Sequence, residues 1–209
     1  MDDTVSSGAS NIPIADIENV IIRFAGDSGD GIQVTGAMFT HDAAILGNDI
    51  STQPDFPAEI RAPAGTLAGV SNFQLNFSAY DIHTPGDRPQ VLVAMNPAAL
   101  KANIGDVEPG GTIILNSDAF VAKSFKTANL SDDPRTDGTL EGFSVHEVPV
   151  TSLTVKAVES TGLTNRQATL CKNMFTLGVT CWLYDRSLTA VIERIDAKFG
   201  VKNPEIAVA

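Results

Sequence analysis

A short apolar segment followed by a glycine-rich turn constrains the fold of this chain more than any other stretch. Residues 20–25 read VIIRFA, and five of these six side chains are apolar, which is typical of a strand buried on both faces of a parallel sheet. Residues 26–31 hold three glycines, which permit positive φ angles in a tight turn. We expect a helix from residue 31 to residue 46, capped by Asp30 and ended by Gly47.

The start of that helix could bind an anion, because it offers unpaired N–H groups and the positive end of a dipole. Two features oppose an ordinary nucleotide site. The glycine spacing is G-x-x-G-x-G rather than G-x-G-x-x-G, and Asp27 and Asp30 place negative charge where a pyrophosphate would approach. From the residues alone, the turn either contacts a ligand or only turns the chain or meets a partner subunit.

Residues 29–31 also read Gly-Asp-Gly, which begins the magnesium-binding motif of thiamine-diphosphate enzymes. The pair of asparagines that completes that motif occurs nowhere in the sequence. We therefore expect no thiamine diphosphate and no metal to bind at this turn.

Composition restricts the function classes that remain. The 209 residues are 43% hydrophobic, which is enough for one domain with a sizeable core. The net charge of −11 would repel nucleic acids and anionic membranes. Cys171 and Cys181 are too few for an iron–sulfur cluster or a structural zinc site. The N-terminus has no signal-like pattern, and no apolar segment is long enough to span a membrane, so we expect a cytoplasmic protein.

The next part of the chain contains a second candidate anion contact. Residues 1–19 are polar and predict a flexible arm. A strand is expected near residues 49–53, and three prolines then make residues 54–65 a loop. Arg61 in this loop could clamp an anion beside the glycine turn, or it could pair with Glu59 or a nearby aspartate to make the loop rigid.

Further along, predicted strands alternate with predicted helices. Polar and apolar residues alternate over residues 67–79, which predicts a half-exposed strand near an edge of the sheet or an interface. Apolar strands are expected at residues 90–96, 112–116 and 143–150, and a single long helix at residues 164–184. The fold class is therefore α/β: an open, mostly parallel, Rossmann-like sheet with helices on both faces, in which residues 67–79 are the candidate for an antiparallel strand.

Four stretches in this order resemble one family. They are GDSGDGIQVTG at the glycine turn, PAEIRAP around Arg61, KNMFTLGVTCWLY in the long helix and KNPEIAVA at the end. They are similar to the γ domain of 2-oxoacid:ferredoxin oxidoreductases, and most similar to the N-terminal part of the α subunit of the 2-oxoglutarate enzymes. The resemblance implies a γ domain at residues 20–200, followed at residues 201–209 by the start of a linker to an α domain outside this chain. Relatives usually have two glycines after the arginine, where this chain has Ala-Pro.

The resemblance also implies a function. Members of the family interconvert 2-oxoacids and acyl-coenzyme A with thiamine diphosphate, magnesium and [4Fe-4S] clusters, and they exchange electrons with ferredoxin. For this chain it implies no catalytic residue and no metal ligand, no cofactor bound by the chain alone, and no activity of the isolated chain. It implies packing on the α domain and the β subunit and a share in the coenzyme A entrance, with Ser28, Gly29 and Arg61 as candidate contacts.

Two other readings remain open. The chain could be an assembly domain that contacts no ligand, in which case the glycine turn would lie against another subunit. It could also be an independent dinucleotide-binding oxidoreductase, although Asp27 and Asp30 oppose that reading.

Overall fold

A computed structural model describes residues 17–56, 69–201 and 204–209 of the chain. These residues form a six-stranded sheet with the strand order β2-β3-β1-β4-β5-β6. The strands are β1 Asn19–Asp27, β2 Asp49–Asp55, β3 Val70–Ser78, β4 Val91–Ala94, β5 Thr112–Asn116 and β6 Ser144–Val148. Arg61 and most of the predicted N-terminal arm lie outside the described residues.

The strand directions confirm the predicted fold class. β1 pairs in parallel with β4, β4 with β5, and β5 with β6. β3 pairs antiparallel with both β1 and β2. Among the described strands only β3 is reversed, as the sequence indicated for this segment. All six described strands therefore belong to one continuous sheet.

Helices cover both faces of this sheet. They are α1 Ile32–Ile45, α2 Pro97–Asn103, α3 Ala122–Thr127, α4 Val150–Ala157, α5 Asn165–Leu170, α6 Lys172–Leu183, α7 Thr189–Ile195 and α8 Pro204–Val208. Short 3₁₀ helices lie at Ile104–Asp106, Ser117–Ala119 and Glu159–Thr161, and a π-helical turn at Asp196–Gly200. The predicted single helix over residues 164–184 is wrong in one respect, because Cys171 separates α5 from α6.

Successive side chains of the parallel strands point to opposite faces of the sheet, so each strand contributes to two separate cores. In β4, Val91 and Val93 pack with α1 and α6 on one face of the sheet. Leu92 and Ala94 point to the opposite face and pack with α2. β1 divides in the same way, so the prediction that its apolar residues are buried on both faces is confirmed. Burying one such side chain contributes roughly 1.5–3 kcal/mol.

The position of β3 differs from the prediction. The alternating polar residues indicated a half-exposed strand, yet β3 lies between β1 and β2, and Gln74 and Asn76 are buried. The side-chain amide of Gln74 donates to the carbonyl oxygens of Pro85, at 3.0 Å, and Gly86, at 2.6 Å. The loop before β4 thus closes over this polar face and replaces water as its hydrogen-bonding partner.

Arg23 is the one charged residue in the apolar segment 20–25 of β1, and polar partners from other elements hold its side chain. Its Nε donates to Oε1 of Gln74 at 2.9 Å, and its Nη1 donates to Oδ1 of Asn103 at 3.1 Å. Nη1 also forms an ion pair with Asp106. A buried guanidinium needs such partners, because an unpaired charge in the interior is very costly. Gln74 on the polar face of β3, Asn103 of α2 and the carboxylate of Asp106 therefore together satisfy the guanidinium in β1.

Gln74→Leu tests this network. The substitution removes the acceptor of Arg23 and the donor to two loop carbonyls, so we expect the free energy of unfolding to fall by roughly 1–3 kcal/mol. Gln53→Leu is the matched control, because Gln53 lies directly opposite Gln74 on β2 and is exposed. Its effect should stay within about 0.5 kcal/mol. Equal effects in chemical denaturation would contradict the proposed role of Gln74.

Candidate functional site

The glycine turn lies at the point where the connections of the sheet diverge. α1 follows β1 and packs on one face, whereas α2 follows β4 and packs on the other. β1 and β4 are parallel neighbours, so their carboxyl ends flank a crevice between the two helix starts. In open α/β sheets, such a switch point is the usual place for a ligand. The sequence predicted the turn, but only the strand order identifies the crevice.

Gly31 is the residue that shapes the turn. Its φ angle is 74°, in the left-handed region that glycine favours. A Cβ at this position would lie 2.4 Å from Nδ2 of Asn173 in α6. Gly26 and Gly29 do not have positive φ angles, so of the three glycines that permit this conformation only Gly31 adopts it. The close approach of α1 and α6 therefore requires glycine at residue 31.

Asp30 does not cap α1 as predicted. The N-cap position is Gly31, which has no side chain to accept a hydrogen bond. The carboxylate of Asp30 instead accepts the backbone N–H of Asp27 at 3.2 Å and forms an ion pair of 2.8 Å with Nζ of Lys172. Both side chains of the pair are largely buried. Lys172, at the start of α6, thus compensates one of the two acidic charges in the turn.

Asp27 has a neutral partner instead. Nδ2 of Asn96 donates to Oδ1 of Asp27 at 2.8 Å, while Oδ1 of Asn96 accepts the N–H of Ala99 and caps α2. Partial burial raises the pKa of Asp27, and the negative charge of Asp30 raises it further. The hydrogen bond from Asn96 and the charge of Lys172 act in the opposite direction. The turn therefore holds an acidic group whose ionised form is disfavoured.

Ser28 and Gly29, two of the three predicted contacts, lie at the exposed tip of this turn. A Cβ added to Gly29 would meet no described atom within 4 Å, so a ligand could approach the backbone there. The third contact, Arg61, lies outside the described residues.

The described ends of the Arg61 segment are fixed beside α1. Nε2 of Gln33, in the first turn of α1, donates to the carbonyl oxygens of Asp55 and Asn72 at 3.2 and 2.9 Å. It also lies 2.9 Å from Oγ of Ser71. The carboxyl end of β2 and the amino end of β3 are thereby joined to the helix start. Sequence reasoning missed Gln33, Asn96 and Lys172, because each acts through a partner that is distant along the chain.

The donor set does not fit an iron–sulfur cluster or a metal ion. Clusters need several cysteine thiolates, whereas burial raises the pKa of Cys181 to about 11 and also raises that of Cys171. Within the described ranges, no three His, Cys, Asp or Glu side chains are placed to hold a metal ion. None of the helices described is long and apolar enough to cross a membrane.

Comparison with known sequences gives one family and one curated relative. The family model for pyruvate ferredoxin/flavodoxin oxidoreductase matches residues 21–209. The chain is 54% identical over 193 residues to the 2-oxoglutarate oxidoreductase subunit KorA of Mycobacterium tuberculosis. This match covers 92% of the chain but 29% of the relative. The chain therefore spans less than a third of the length of that relative.

Solved structures also match this chain, one of them as part of a longer chain and two as nearly whole chains. A 2-oxoglutarate:ferredoxin oxidoreductase from Magnetococcus marinus, with 2-oxoglutarate, coenzyme A and succinyl-CoA bound, matches with a TM-score of 0.69 and 26% identity, over 92% of this chain and 29% of its own. The gamma subunit of a keto/oxoacid ferredoxin oxidoreductase from Geobacter sulfurreducens matches with a TM-score of 0.60 and 17% identity, over 90% and 91%. Subunit PORC of a pyruvate oxidoreductase from Thermotoga maritima gives 0.55 and 17%, over 92% and 90%. Because the last two structures are only 17% identical in sequence, they show that the fold is shared and nothing more.

The two glycines of the turn should respond differently to substitution. Gly31→Ala places a side chain in the left-handed region and against Asn173, so we expect a loss of roughly 1–3 kcal/mol in the free energy of unfolding. Gly29→Ala, in open space, should change it by no more than about 0.5 kcal/mol. Chemical denaturation of both variants measures the difference. A stable Gly31→Ala variant would mean that the turn does not depend on this close contact.

Asp27→Asn should stabilise the protein in a pH-dependent way. Because the pKa of Asp27 is raised in the folded state, its favourable contribution is complete below the ordinary value of 3.8 and is lost as the pH rises through the raised pKa. The variant should therefore have a higher thermal midpoint than the wild type at pH 7, and the difference should shrink towards pH 4. Asp87→Asn, exposed in the loop before β4, is the control. A constant difference at all pH values would exclude titration of Asp27 as the cause.

Proposed function

The chain belongs to the pyruvate ferredoxin/flavodoxin oxidoreductase family, and we propose that it is the γ domain of a 2-oxoacid:ferredoxin oxidoreductase that uses 2-oxoglutarate. The 54% identity to a 2-oxoglutarate oxidoreductase subunit, over nearly the whole of this chain, is the observation that carries the proposal. The solved 2-oxoglutarate enzyme from Magnetococcus marinus, with the same share of its chain matched, supports it.

In this proposal the chain performs no covalent step. Thiamine diphosphate with magnesium would supply the decarboxylation or carboxylation chemistry, and [4Fe-4S] clusters the path of electrons to ferredoxin. Both would be held by the α domain and the β subunit. The raised pKa values of Cys171 and Cys181 support this division, because thiolate ligands would be disfavoured at these positions.

The role proposed for the glycine turn is to help form the coenzyme A entrance. Coenzyme A carries phosphates, which N–H groups at a helix start and an arginine can bind. Ser28 and Gly29 are exposed at the crevice between β1 and β4, and the segment with Arg61 begins and ends beside the first turn of α1. Arg61 would supply positive charge for the phosphates, because Lys172 at the turn is already paired with Asp30.

Such a contact would act through positioning. Thioester formation requires the thiol of coenzyme A to reach the reacting carbon in a cleft from which water is excluded. A domain that holds the phosphate end of coenzyme A fixes the direction from which the thiol enters. Binding energy gained far from the reacting atoms can thus lower the barrier to the chemical step.

One observation favours the alternative of an assembly domain without ligand contact. The turn is tied to α6 by the Asp30–Lys172 ion pair and by the close packing of Gly31 on Asn173. A turn that only docks against another subunit would need such internal bracing and no arginine. In that case coenzyme A kinetics would not depend on residues of this chain.

Arg61→Ala distinguishes the two readings in the complete enzyme. Loss of a charge-assisted hydrogen bond to phosphate should raise the apparent KM for coenzyme A by roughly 10- to 100-fold, with little change in the KM for 2-oxoglutarate. Arg88→Ala is the matched control, because Arg88 is exposed in the loop before β4. This loop lies at the amino ends of the parallel strands, whereas the glycine turn lies at their carboxyl ends. Steady-state kinetics with each substrate varied in turn measures both constants.

An unchanged KM for coenzyme A in the Arg61→Ala enzyme would remove Arg61 from the site and favour the assembly role. Equal changes in the Arg61→Ala and Arg88→Ala enzymes would indicate a long-range effect of charge rather than a contact. Absence of 2-oxoglutarate turnover by the native complex would contradict the proposed function itself.

A further inference from the structure

An apolar groove lies beside α6, at the amino ends of β1, β4 and β5 and on the face of the sheet that α1 and α6 cover. It has a volume of about 690 Å³. The strands from β1 to β6 form its floor, and the second half of α6 forms one wall. The apolar side chains that line it include Val20, Val91, Ile114, Val148, Val179 and Trp182.

The groove is open to solvent although its lining is apolar. α6 is buried on its core side through Leu177 and Cys181. On the side of the groove, Trp182 has 68% of its surface exposed and Leu183 has 43%. A helix with apolar residues on all sides is normally buried. The described residues therefore leave an apolar surface at the end of α6 that another segment can cover.

The N-terminal arm enters the described fold at this groove. Ile17, the first described residue, lines the groove and is 60% exposed. The next residue is fixed, because the carbonyl oxygen of Glu18 accepts the N–H of Ala79 at 2.9 Å and the hydroxyl of Ser78 at 3.2 Å. Consecutive Cα atoms are about 3.8 Å apart. The arm therefore starts out from the groove itself, without a linker.

The part of the arm next to the groove has a suitable sequence. Residues 12–15 read IPIA and are apolar and uncharged, whereas residues 1–11 are mostly polar. Pro13 favours polyproline II geometry, in which residues three apart share one side. Ile14 would then face the same way as Ile17, towards the apolar lining.

The length of this segment also matches the groove. The lining runs from Val20 in β1 across β4 and β5 to Val148 in β6, which is three strand spacings or about 14 Å. Residues 12–16 in polyproline II geometry would span about 15 Å. The segment can therefore cross the whole floor of the groove and reach the side chain of Trp182.

Charge favours this segment over a second copy of the chain. Glu108 lies in the lining, Glu18 directly follows Ile17, and Asp185 directly follows the lining residue Tyr184. No lysine or arginine is present among the described residues that line the groove. A second copy, with its net charge of −11, would be repelled, whereas the uncharged residues 12–15 would not. A tethered segment also has an effective concentration of about the millimolar range.

We propose that residues 12–16 of this chain occupy the groove and cover Trp182, with Ile14 as the main apolar contact. The fold would then begin at residue 12 rather than at β1, and only residues 1–11 would form a free arm. The segment would also hold the second half of α6 against the strands. The inference is independent of the proposed function, because it concerns one chain and no substrate.

Site-specific photo-crosslinking from residue 182 identifies the occupant directly. A photoreactive phenylalanine derivative replaces Trp182 in the full protein in its native assembly, and mass spectrometry identifies the linked peptide. The expected product joins residue 182 to a peptide from residues 1–16. Mixing isotope-labelled and unlabelled protein shows that both ends belong to the same chain. A product with any other protein segment, a product between two copies, or no product would each overturn the proposal.

Charge substitution in the arm gives an independent measurement. Ile14→Asp would place a charge in an apolar groove, so the ratio of covered to uncovered groove should fall by roughly tenfold or more. Hydroxyl-radical footprinting reads this as a several-fold faster oxidation of Trp182, the one tryptophan among the 209 residues. Val5→Asp is the matched control, because it adds the same charge to the arm outside residues 12–16. It should leave the oxidation rate unchanged.

Two truncations complete the test. Deletion of residues 1–11 should leave Trp182 protected from oxidation, and deletion of residues 1–16 should remove the protection. Equal oxidation rates in the wild type, the Ile14→Asp variant and the longer truncation would show that the segment does not cover Trp182. An equal rise in the Ile14→Asp and Val5→Asp variants would show a general effect of charge, and it would also overturn the proposal.

Discussion

The burial of β1 on both of its faces is the constraint on which the rest of the structure depends. A strand in the middle of a sheet with an apolar side chain on either side must be covered twice. α1 and α6 cover one face and α2 covers the other. Because α1 and α2 leave the sheet from neighbouring parallel strands in opposite directions, a crevice opens at their starts. The position of the glycine turn is thus a consequence of the packing of β1.

Local sequence patterns predicted most of the elements but not their partners. Apolar runs and turn residues located β1, β4, β5 and α1 within a few residues, since these signals depend on neighbours along the chain. The alternation of polar residues predicts β3 near an edge of the sheet or an interface, because such a polar face is normally in contact with water. Its burial depends on Arg23 and on the loop before β4, which lie 51 and 12 residues from Gln74, and no local pattern contains that information.

The candidate site shows the same limit. The sequence located Ser28 and Gly29 in a turn at a helix start, and the strand order then placed this turn at a switch point. It assigned Asp30 the role of a cap, although capping is only one way to satisfy a carboxylate at a helix start. The carboxylate of Asp30 instead forms an ion pair with Lys172, which lies 142 positions further along the chain. The break between α5 and α6 at Cys171, which the helical spacing did not indicate, makes Lys172 the first residue of the helix that packs on the turn.

α6 connects the two surfaces that distinguish this domain. Its first residues, Lys172 and Asn173, contact the glycine turn, and its last residues, Trp182 and Leu183, line an apolar groove at the amino ends of β1, β4 and β5. Twelve helical residues span about 18 Å. α6 therefore reaches from the carboxyl ends of the strands, where the glycine turn lies, to their amino ends, where the groove lies. The ion pair between Lys172 and Asp30 therefore depends on the packing of α6 on the sheet, to which Leu177 and Cys181 contribute from the buried side of the helix.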